Sequence, residues 1–227
     1  DTSNSMKKGG KFDAAKAAAE EFISSVPDDV YVGVVTFAAD ITTALTPTQD
    51  RAAALAVLDG LELSRATRLY DGVVQGVDVA GDEGQRSLLV LSDGADTSDT
   101  PIEQATSAIA GSEVLVDVVA LEQSGPDLAA LQQLADAGKG RVIPSDPEAL
   151  RDAFAAEADV LARQVLVTAE VPSSFTKKEA TLKVTLPTST GSVSAEAFTS
   201  VEPGAAKAAP RRSSAWTLPA WSLYAGP

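Results

Sequence analysis

The sequence LLVLSDG at residues 88–94 is a short apolar run that ends on an acid followed by a glycine. An apolar run of this length, bounded by a turn signal, is typical of a strand that is covered on both faces. We therefore predict a buried strand from Arg86 to Ser92. Ligands of open α/β sheets bind beside the carboxyl ends of the strands, so Asp93 stands at a position that favours a binding site.

Helix and strand patterns alternate on both sides of this strand. Apolar spacing, proline stops and capping residues predict helices over 11–26, 50–58 and 69–80, a helix starting at Pro101, and helices over 126–137 and 146–163. Apolar runs predict the other strands over 30–37, 41–45, 113–120 and 141–143, of which 41–45 is a short antiparallel or edge partner. Strands that alternate with helices of about 10 to 15 residues imply an α/β fold with a doubly wound, mainly parallel sheet flanked by helices.

The loop that follows residues 88–94 leads into the next predicted helix. The segment Thr-Pro-Ile-Glu at residues 100–103 has the pattern of a helix start. Thr100 is expected to cap the helix, and Glu103 to complete a capping box. Asp96 and Asp99 are expected to be solvated loop charges.

Two further segments contain the residue types of an oxygen-ligand site. The chain opens with DTSNS at residues 1–5, and SRATRLYDG at residues 64–72 precedes an apolar helical pattern. Asp, Ser and Asn are also the commonest residues of turns and helix caps, so the first segment indicates a binding site only in combination with the others. In order, spacing and strand-end position, these two segments and residues 88–94 resemble the von Willebrand factor A (VWA) domain and its metal-ion-dependent adhesion site.

The resemblance implies five ligand positions for a divalent cation, namely Asp1, Ser3, Ser5, Thr67 and Asp93. In the family the two serines coordinate directly, the threonine directly or through water, and the aspartates often through water. The open sixth position takes a carboxylate from a Glu or Asp of a protein partner. Hydroxyl and carboxylate oxygens are hard ligands, and only two carboxylate charges face the cation, which favours Mg²⁺ or Mn²⁺ over Ca²⁺.

The resemblance covers residues 1–163, the predicted VWA domain, and departs from the family pattern at three places. Asn4 stands where the family often has glycine, which asparagine tolerates because it accepts unusual backbone angles. Residues 64–66, Ser-Arg-Ala, replace a more glycine-rich approach to Thr67. The site normally follows an apolar strand, so we expect a first central strand upstream of Asp1.

After Arg163 the apolar period changes from 3.6 to 2, which indicates half-buried strands. We predict a small antiparallel β module over 164–202, with strands at 164–171, 180–186 and 192–198. Three strands are a thin core for an independent domain. Two arrangements stay open: strands upstream of Asp1 complete the module, so that the VWA domain is an insertion, or the module is a hairpin that packs against the main sheet.

Residues 203–227 are rich in Ala, Pro and Ser and are predicted to be a linker with an aromatic tail. The tail places two arginines before three amphipathic aromatic residues, Arg211, Arg212, Trp216, Trp221 and Tyr224. Basic residues that lead into tryptophans are typical of the approach to a membrane interface. A disordered tail and an aromatic contact with the β module are the alternatives.

Composition narrows the possible functions. The chain has 227 residues, 44% of them apolar, which is enough for one full domain and a smaller module. Its net charge of −14, without a basic patch, argues against nucleic acid and against an anionic membrane surface as partners. The chain contains neither His nor Cys, which removes the Ser-His-Asp triad and every imidazole or thiolate metal site. Neither a signal peptide nor an apolar run of about 18 residues occurs in it.

The favoured function is therefore a non-enzymatic adhesion or assembly domain that binds a partner carboxylate through Mg²⁺. A metal-free scaffold domain is the main alternative. A Mg²⁺-dependent phosphoryl-transfer protein is another, although it would need a second acid beside Asp1 and a lysine at a strand end. VWA domains joined to small β modules with a basic and aromatic exit resemble bacterial membrane-anchored surface or secretion-associated proteins. We accordingly expect an extracytoplasmic domain that a tether outside this sequence holds at the membrane.

Overall fold

The chain divides into two compact units, Asp1–Gln164 and Val165–Pro227. The structure, a computed structural model, describes residues 1–162, 179–188 and 191–200. The domain limits expected from the sequence stay predictions.

The first unit alternates helices and strands along the chain. In order, its described elements are a 3₁₀ segment Asn4–Gly10, α1 Lys11–Ser25, β1 Val32–Phe37, β2 Ile41–Thr48, α2 Arg51–Asp59, α3 Leu69–Ala80, β3 Ser87–Ser92, α4 Ile102–Ser112, β4 Leu115–Leu121, α5 Gly125–Ala137, β5 Val142–Ser145 and α6 Leu150–Ala162.

The strands of the first unit form a parallel sheet and an antiparallel pair. Strand β4 lies in the middle of the parallel sheet, with β3 on one side and β5 on the other. Strand β1 pairs antiparallel with β2, which continues to Thr48, beyond the limit of 45 expected from its apolar run. The predicted α/β fold, with a mainly parallel sheet between helices, is confirmed.

Strand β4 is buried on both of its faces. Val116, Val118 and Ala120 belong to one core cluster, whereas Val119 and Leu121 belong to another. Because successive side chains of a strand point to opposite faces, a strand with buried apolar residues on both faces must be covered twice. Asp117, the one charged residue of β4, is also buried and accepts a hydrogen bond from the backbone N–H of Arg141 at 2.8 Å.

Helices pack on both faces of the parallel sheet. Helices α3, α4 and α5 pack on the first face, through residues that include Val73, Ile109 and Leu134. Helices α1 and α6 pack on the second face, where the rings of Phe22 and Phe154 meet edge to face with centroids 6.0 Å apart. The helices thus cover the sheet in the two layers that a doubly wound fold requires.

The helix starts show where local sequence rules succeed and where they fail. Asp50 caps α2 as expected, since its carboxylate accepts a hydrogen bond from the backbone N–H of Ala53 at 3.0 Å. The capping box expected at α4 is wrong, because Pro101 occupies the cap position and no side chain caps the helix. The Thr100 hydroxyl instead donates to the Asp71 carboxylate at 2.7 Å. A charged acceptor on α3 outcompetes the local backbone for this hydroxyl.

The first residues of the chain lie beside the carboxyl end of β1. The backbone N–H of Thr2 donates to the Phe37 carbonyl at 3.0 Å, and the Thr2 carbonyl accepts from Ser64 at 2.8 Å. Ser3 also forms an isolated parallel bridge with Ser64. The strand expected upstream of Asp1 concerns residues outside this sequence and stays a prediction.

The second unit contains an antiparallel pair, β6 Glu179–Thr188 and β7 Gly191–Ser200. Their register runs without a break from Glu179 opposite Ser200 to Thr188 opposite Gly191. Lys183 and Thr185 are exposed while Val184 is half-buried, as the alternating pattern predicts. The strand expected at 164–171 and the tail at 203–227 lie outside the described residues.

Among the helices that the structure describes, none combines the length and the apolar character needed to cross a membrane.

Two helical glycines permit a test of how tightly α3 packs on β1. A β-carbon at Gly72 would lie 2.7 Å from the Phe37 side chain, whereas a β-carbon at Gly111 in α4 would meet nothing within 4 Å. We expect Gly72→Ala to lower the free energy of unfolding by about 1–3 kcal/mol through overpacking. Gly111→Ala, the same change on another helix, should raise it by about 0.5–1 kcal/mol. Urea unfolding of both variants measures the difference, and equal stabilities would contradict this packing.

Candidate metal centre

Three segments of the chain meet at the carboxyl end of β3. Asp93 directly follows this strand, Asp1 lies beside its last residue, and Thr67 precedes α3. Parallel strands end at the same edge of a sheet, so the predicted position of the site follows from the topology.

The carboxylate of Asp1 is fixed through both of its oxygens. Its Oδ1 accepts a hydrogen bond from the backbone N–H of Ser3 at 2.8 Å. Its Oδ2 accepts from the hydroxyl of Ser92 at 2.7 Å. Ser92 is fully buried at the end of β3, so the sheet itself orients Asp1.

The hydroxyls of Ser3 and Ser5 form a chain of short contacts that ends on Asp93. The two Oγ atoms are 2.7 Å apart, and Ser5 Oγ donates to Asp93 Oδ1 at 2.6 Å. Neighbouring oxygens around an octahedral Mg²⁺ are about 2.9 Å apart, given metal–oxygen distances near 2.05 Å. The spacing of these three oxygens therefore suits a small cation.

The Thr67 hydroxyl lies close to Gly94, as the Ser5 hydroxyl does. A β-carbon at Gly94 would lie 3.8 Å from Ser5 Oγ and 3.9 Å from Thr67 Oγ1. Thr67 is tied to the loop after β3, since its N–H donates to Thr97 Oγ1 at 2.9 Å and its carbonyl accepts from the Thr97 N–H at 2.8 Å. Ala66 has a φ of 64°, a left-handed backbone that favours glycine, in the stretch where the family is richer in glycine.

Lys11 is a member of the site that the sequence prediction missed. Its ammonium lies 3.0 Å from Asp93 Oδ2 and 2.7 Å from Glu122 Oε2. The side chain of Lys11 is 8% exposed and that of Asp93 is 1% exposed, so this ion pair is buried. Burial alone would lower the pKa of Lys11, but the hydrogen bonds to Glu122 and Asp93 outweigh it and raise this pKa above its ordinary value.

A signal for Lys11 was present in the periodicity of α1. Lys11, Ala15, Ala18 and Phe22 follow the spacing of one helical face, so this lysine belongs to the side that packs on the sheet. A lysine on a buried face needs a carboxylate partner, although the helical period does not identify which one.

Asp96 is not the solvated loop charge that the sequence suggested. Its Oδ1 accepts from the backbone N–H of Tyr70 at 3.0 Å, and its Oδ2 accepts from the N–H and the hydroxyl of Ser98 at 2.8 and 2.6 Å. Because Tyr70 lies in the first turn of α3, Asp96 satisfies a helix N–H that lacks a partner within the helix. Asp99 is exposed, as expected.

The donor set fits a hard divalent cation. Asp1, Ser3, Ser5, Thr67 and Asp93 contribute carboxylate and hydroxyl oxygens, which Mg²⁺ and Mn²⁺ accept. Within the part of the chain that the structure describes, no three acidic side chains gather in the manner of a Ca²⁺ cage. The structure brings Asp1, Ser3, Ser5 and Asp93 into direct contact and Thr67 close to them, whereas their role as ligands stays a prediction.

Comparison with known proteins finds a family match over the first part of the chain. Residues 1–95 match the family model described as von Willebrand factor type A domain. No curated protein matches this chain.

Solved structures share the fold at low sequence identity. BatB from Bacteroides thetaiotaomicron is 20% identical, with a TM-score of 0.60 over 72% of this chain and 96% of that one. An aerotolerance-related membrane protein from Bacteroides fragilis is 21% identical, with a TM-score of 0.58 over 70% and 95%. The vWF domain of the type V pili tip protein Mfa5 from Porphyromonas gingivalis is 12% identical, with a TM-score of 0.62 over 74% and 95%.

The hydrogen bond between Ser92 and Asp1 can be tested without any metal. In EDTA, Ser92→Ala leaves Asp1 Oδ2 without its buried donor, so we expect a loss of about 1–3 kcal/mol in the free energy of unfolding. Ser87→Ala, at the exposed start of the same strand, should change it by less than about 0.5 kcal/mol. Chemical denaturation compares the two variants, and similar losses would show that Ser92 does not hold Asp1 in place.

Proposed function

Because the first unit contains a von Willebrand factor type A domain, a fold of protein–protein interaction, we propose that this chain binds a protein partner through a divalent cation. Asp1, Ser3, Ser5, Thr67 and Asp93 hold Mg²⁺ or Mn²⁺, and a Glu or Asp of the partner completes the coordination. The activity is binding and not catalysis.

One observation supports the proposal: oxygen atoms from segments that are distant in the sequence lie in contact with one another. Ser5 and Asp93 are 88 positions apart in the chain, yet their oxygens are 2.6 Å apart. Clustered, inward-facing oxygens cost free energy unless hydrogen bonds or a cation compensate them. A divalent cation with hard-ligand preferences is the ligand that this set fits best.

Each residue has a defined part in this proposal. Ser3 and Ser5 present hydroxyl oxygens to the cation, and Thr67 does so from the facing loop. Asp1 and Asp93 supply the negative charge, directly or through water. Bound Mg²⁺ offers a Lewis-acidic position for an external carboxylate, because only two protein charges oppose its own.

The charge of the chain explains why a cation would be needed. At a net charge of −14, this protein repels an acidic partner at distances below the Debye length of about 8 Å. A bound divalent cation offsets the charges of Asp1 and Asp93 and gives an acidic side chain a direct ligand position. Binding of an acidic side chain at this edge therefore depends on the metal.

We place this binding outside the cytoplasm, at a membrane or cell surface. Support comes from two structural neighbours, one of them a membrane protein and the other a pilus tip protein. The basic and aromatic residues from Arg211 to Tyr224 are in keeping with a membrane approach.

A metal-free scaffold domain is the second candidate, and Lys11 is the observation that favours it. The Lys11 ammonium already pairs with Asp93, so part of the negative charge of the site is compensated without any metal. In this case, the domain would serve only to hold its neighbours in position.

Metal-dependent stability separates the two candidates. A ligand that binds only the folded state stabilises it by about 2.7 kcal/mol at 100 times its dissociation constant. We expect the melting temperature to rise when millimolar Mg²⁺ or Mn²⁺ replaces EDTA. Asp93→Ala should abolish the rise, whereas Asp99→Ala, an exposed acid of the same loop, should retain it. Equal melting temperatures of the unmodified chain in EDTA and Mg²⁺ would favour the scaffold.

The open coordination position can be tested with the smallest carboxylate. In the Mn²⁺-loaded chain, water on the metal enhances the relaxation of water protons, and a carboxylate that replaces it lowers the enhancement. We expect acetate to lower this enhancement and acetamide, its neutral analogue, to leave it unchanged. The same response to both compounds would argue against carboxylate capture.

A further inference from the structure

The two oxygens of the Asp93 carboxylate have different partners. Oδ1 accepts from the Ser5 hydroxyl at 2.6 Å and so belongs to the cluster of candidate ligands. Oδ2 accepts from the Lys11 ammonium at 3.0 Å and is held away from that cluster by a charged donor. With its side chain 1% exposed, Asp93 is shielded from solvent.

Lys11 is itself held in place from two directions. It begins α1 directly after Gly9 and Gly10, whose φ values of 67° and 73° turn the chain into the helix. Its ammonium is anchored on the far side by Glu122, the first residue after β4, at 2.7 Å. Glu122 has a φ of 55°, and a non-glycine residue in this strained conformation persists only where its surroundings require it.

The carboxylate of Asp1 has different partners from that of Asp93. Asp1 uses both carboxylate oxygens, one for the Ser3 N–H and one for the Ser92 hydroxyl. Among the carboxylate oxygens of Asp1 and Asp93, Oδ2 of Asp93 is the one whose hydrogen-bond donor is the Lys11 ammonium.

This arrangement discriminates between cations. Ca²⁺ takes six to eight oxygens and accepts both oxygens of one carboxylate, whereas Mg²⁺ demands a small octahedron and uses carboxylates through single oxygens. We propose that Lys11 is a specificity-determining residue that restricts Asp93 to one ligand oxygen and so makes the site select Mg²⁺ against Ca²⁺. The inference rests on the proposed function, because it requires that the site bind a divalent cation.

The test compares the dissociation constants of Mg²⁺ and Ca²⁺, measured by calorimetric titration of the EDTA-treated, desalted chain. We expect the unmodified chain to bind Mg²⁺ more tightly than Ca²⁺. Lys11→Met keeps the apolar stem and removes the ammonium, so its preference for Mg²⁺ should fall by about tenfold or more, in the range seen when outer-shell partners of a metal are lost. Lys16→Met is the matched control on the same helix, where the ammonium bonds the Asp59 carbonyl at 2.9 Å.

Two further variants separate the release of Asp93 Oδ2 from a general change in charge or folding. Glu122→Gln also alters the charge beside Lys11 but leaves its bond to Asp93, so the preference for Mg²⁺ should persist. Lys11→Ala removes the ammonium with a smaller side chain and should repeat the effect of Lys11→Met. Far-UV circular dichroism of both variants in EDTA shows that each is folded before titration.

The outcomes distinguish this inference from the function on which it rests. An unmodified chain that binds neither cation would overturn both. Binding of Mg²⁺ together with an unchanged preference in the Lys11 variants would overturn the inference alone, as would a loss of preference in Glu122→Gln equal to that in Lys11→Met.

Discussion

The burial of Asp93 is the constraint on which the arrangement at this edge depends. Removing a carboxylate from water costs several kcal/mol unless a charge and hydrogen bonds compensate it, and Asp93 is 1% exposed. Its two partners come from consecutive parts of the chain, Ser5 in the 3₁₀ segment and Lys11 at the start of α1. A single buried charge at the end of β3 thereby fixes the path of the first eleven residues.

The sequence predicted the parts of the structure that depend on periodicity and on strand ends. Apolar runs located the strands, and the end of the run at residues 88–94 located Asp93. The pairing of side chains was harder to predict from the sequence. The partner of Lys11 and the acceptor of the Thr100 hydroxyl lie 82 and 29 positions away in the chain, and only the folded topology brings such groups together. Asp96 was misread for the same reason, because the helix that it caps precedes it in the sequence.

Several hydrogen bonds join the loop that carries Thr67 to the loop that follows Asp93. Thr67 and Thr97 exchange hydrogen bonds, Asp96 binds the start of α3, and Thr100 binds Asp71 on the same helix. A change at Asp93 therefore reaches the first turn of α3 through short polar contacts.

Strand β4, which ends directly before Glu122, is deeply buried in the parallel sheet. Six of its seven residues are buried, and it is hydrogen-bonded to a strand on either side. Local opening of a protein begins where few apolar contacts hold the backbone and stops where many do. Glu122 directly follows this strand, so the residue that anchors the Lys11 ammonium starts from one of the most firmly held parts of the backbone.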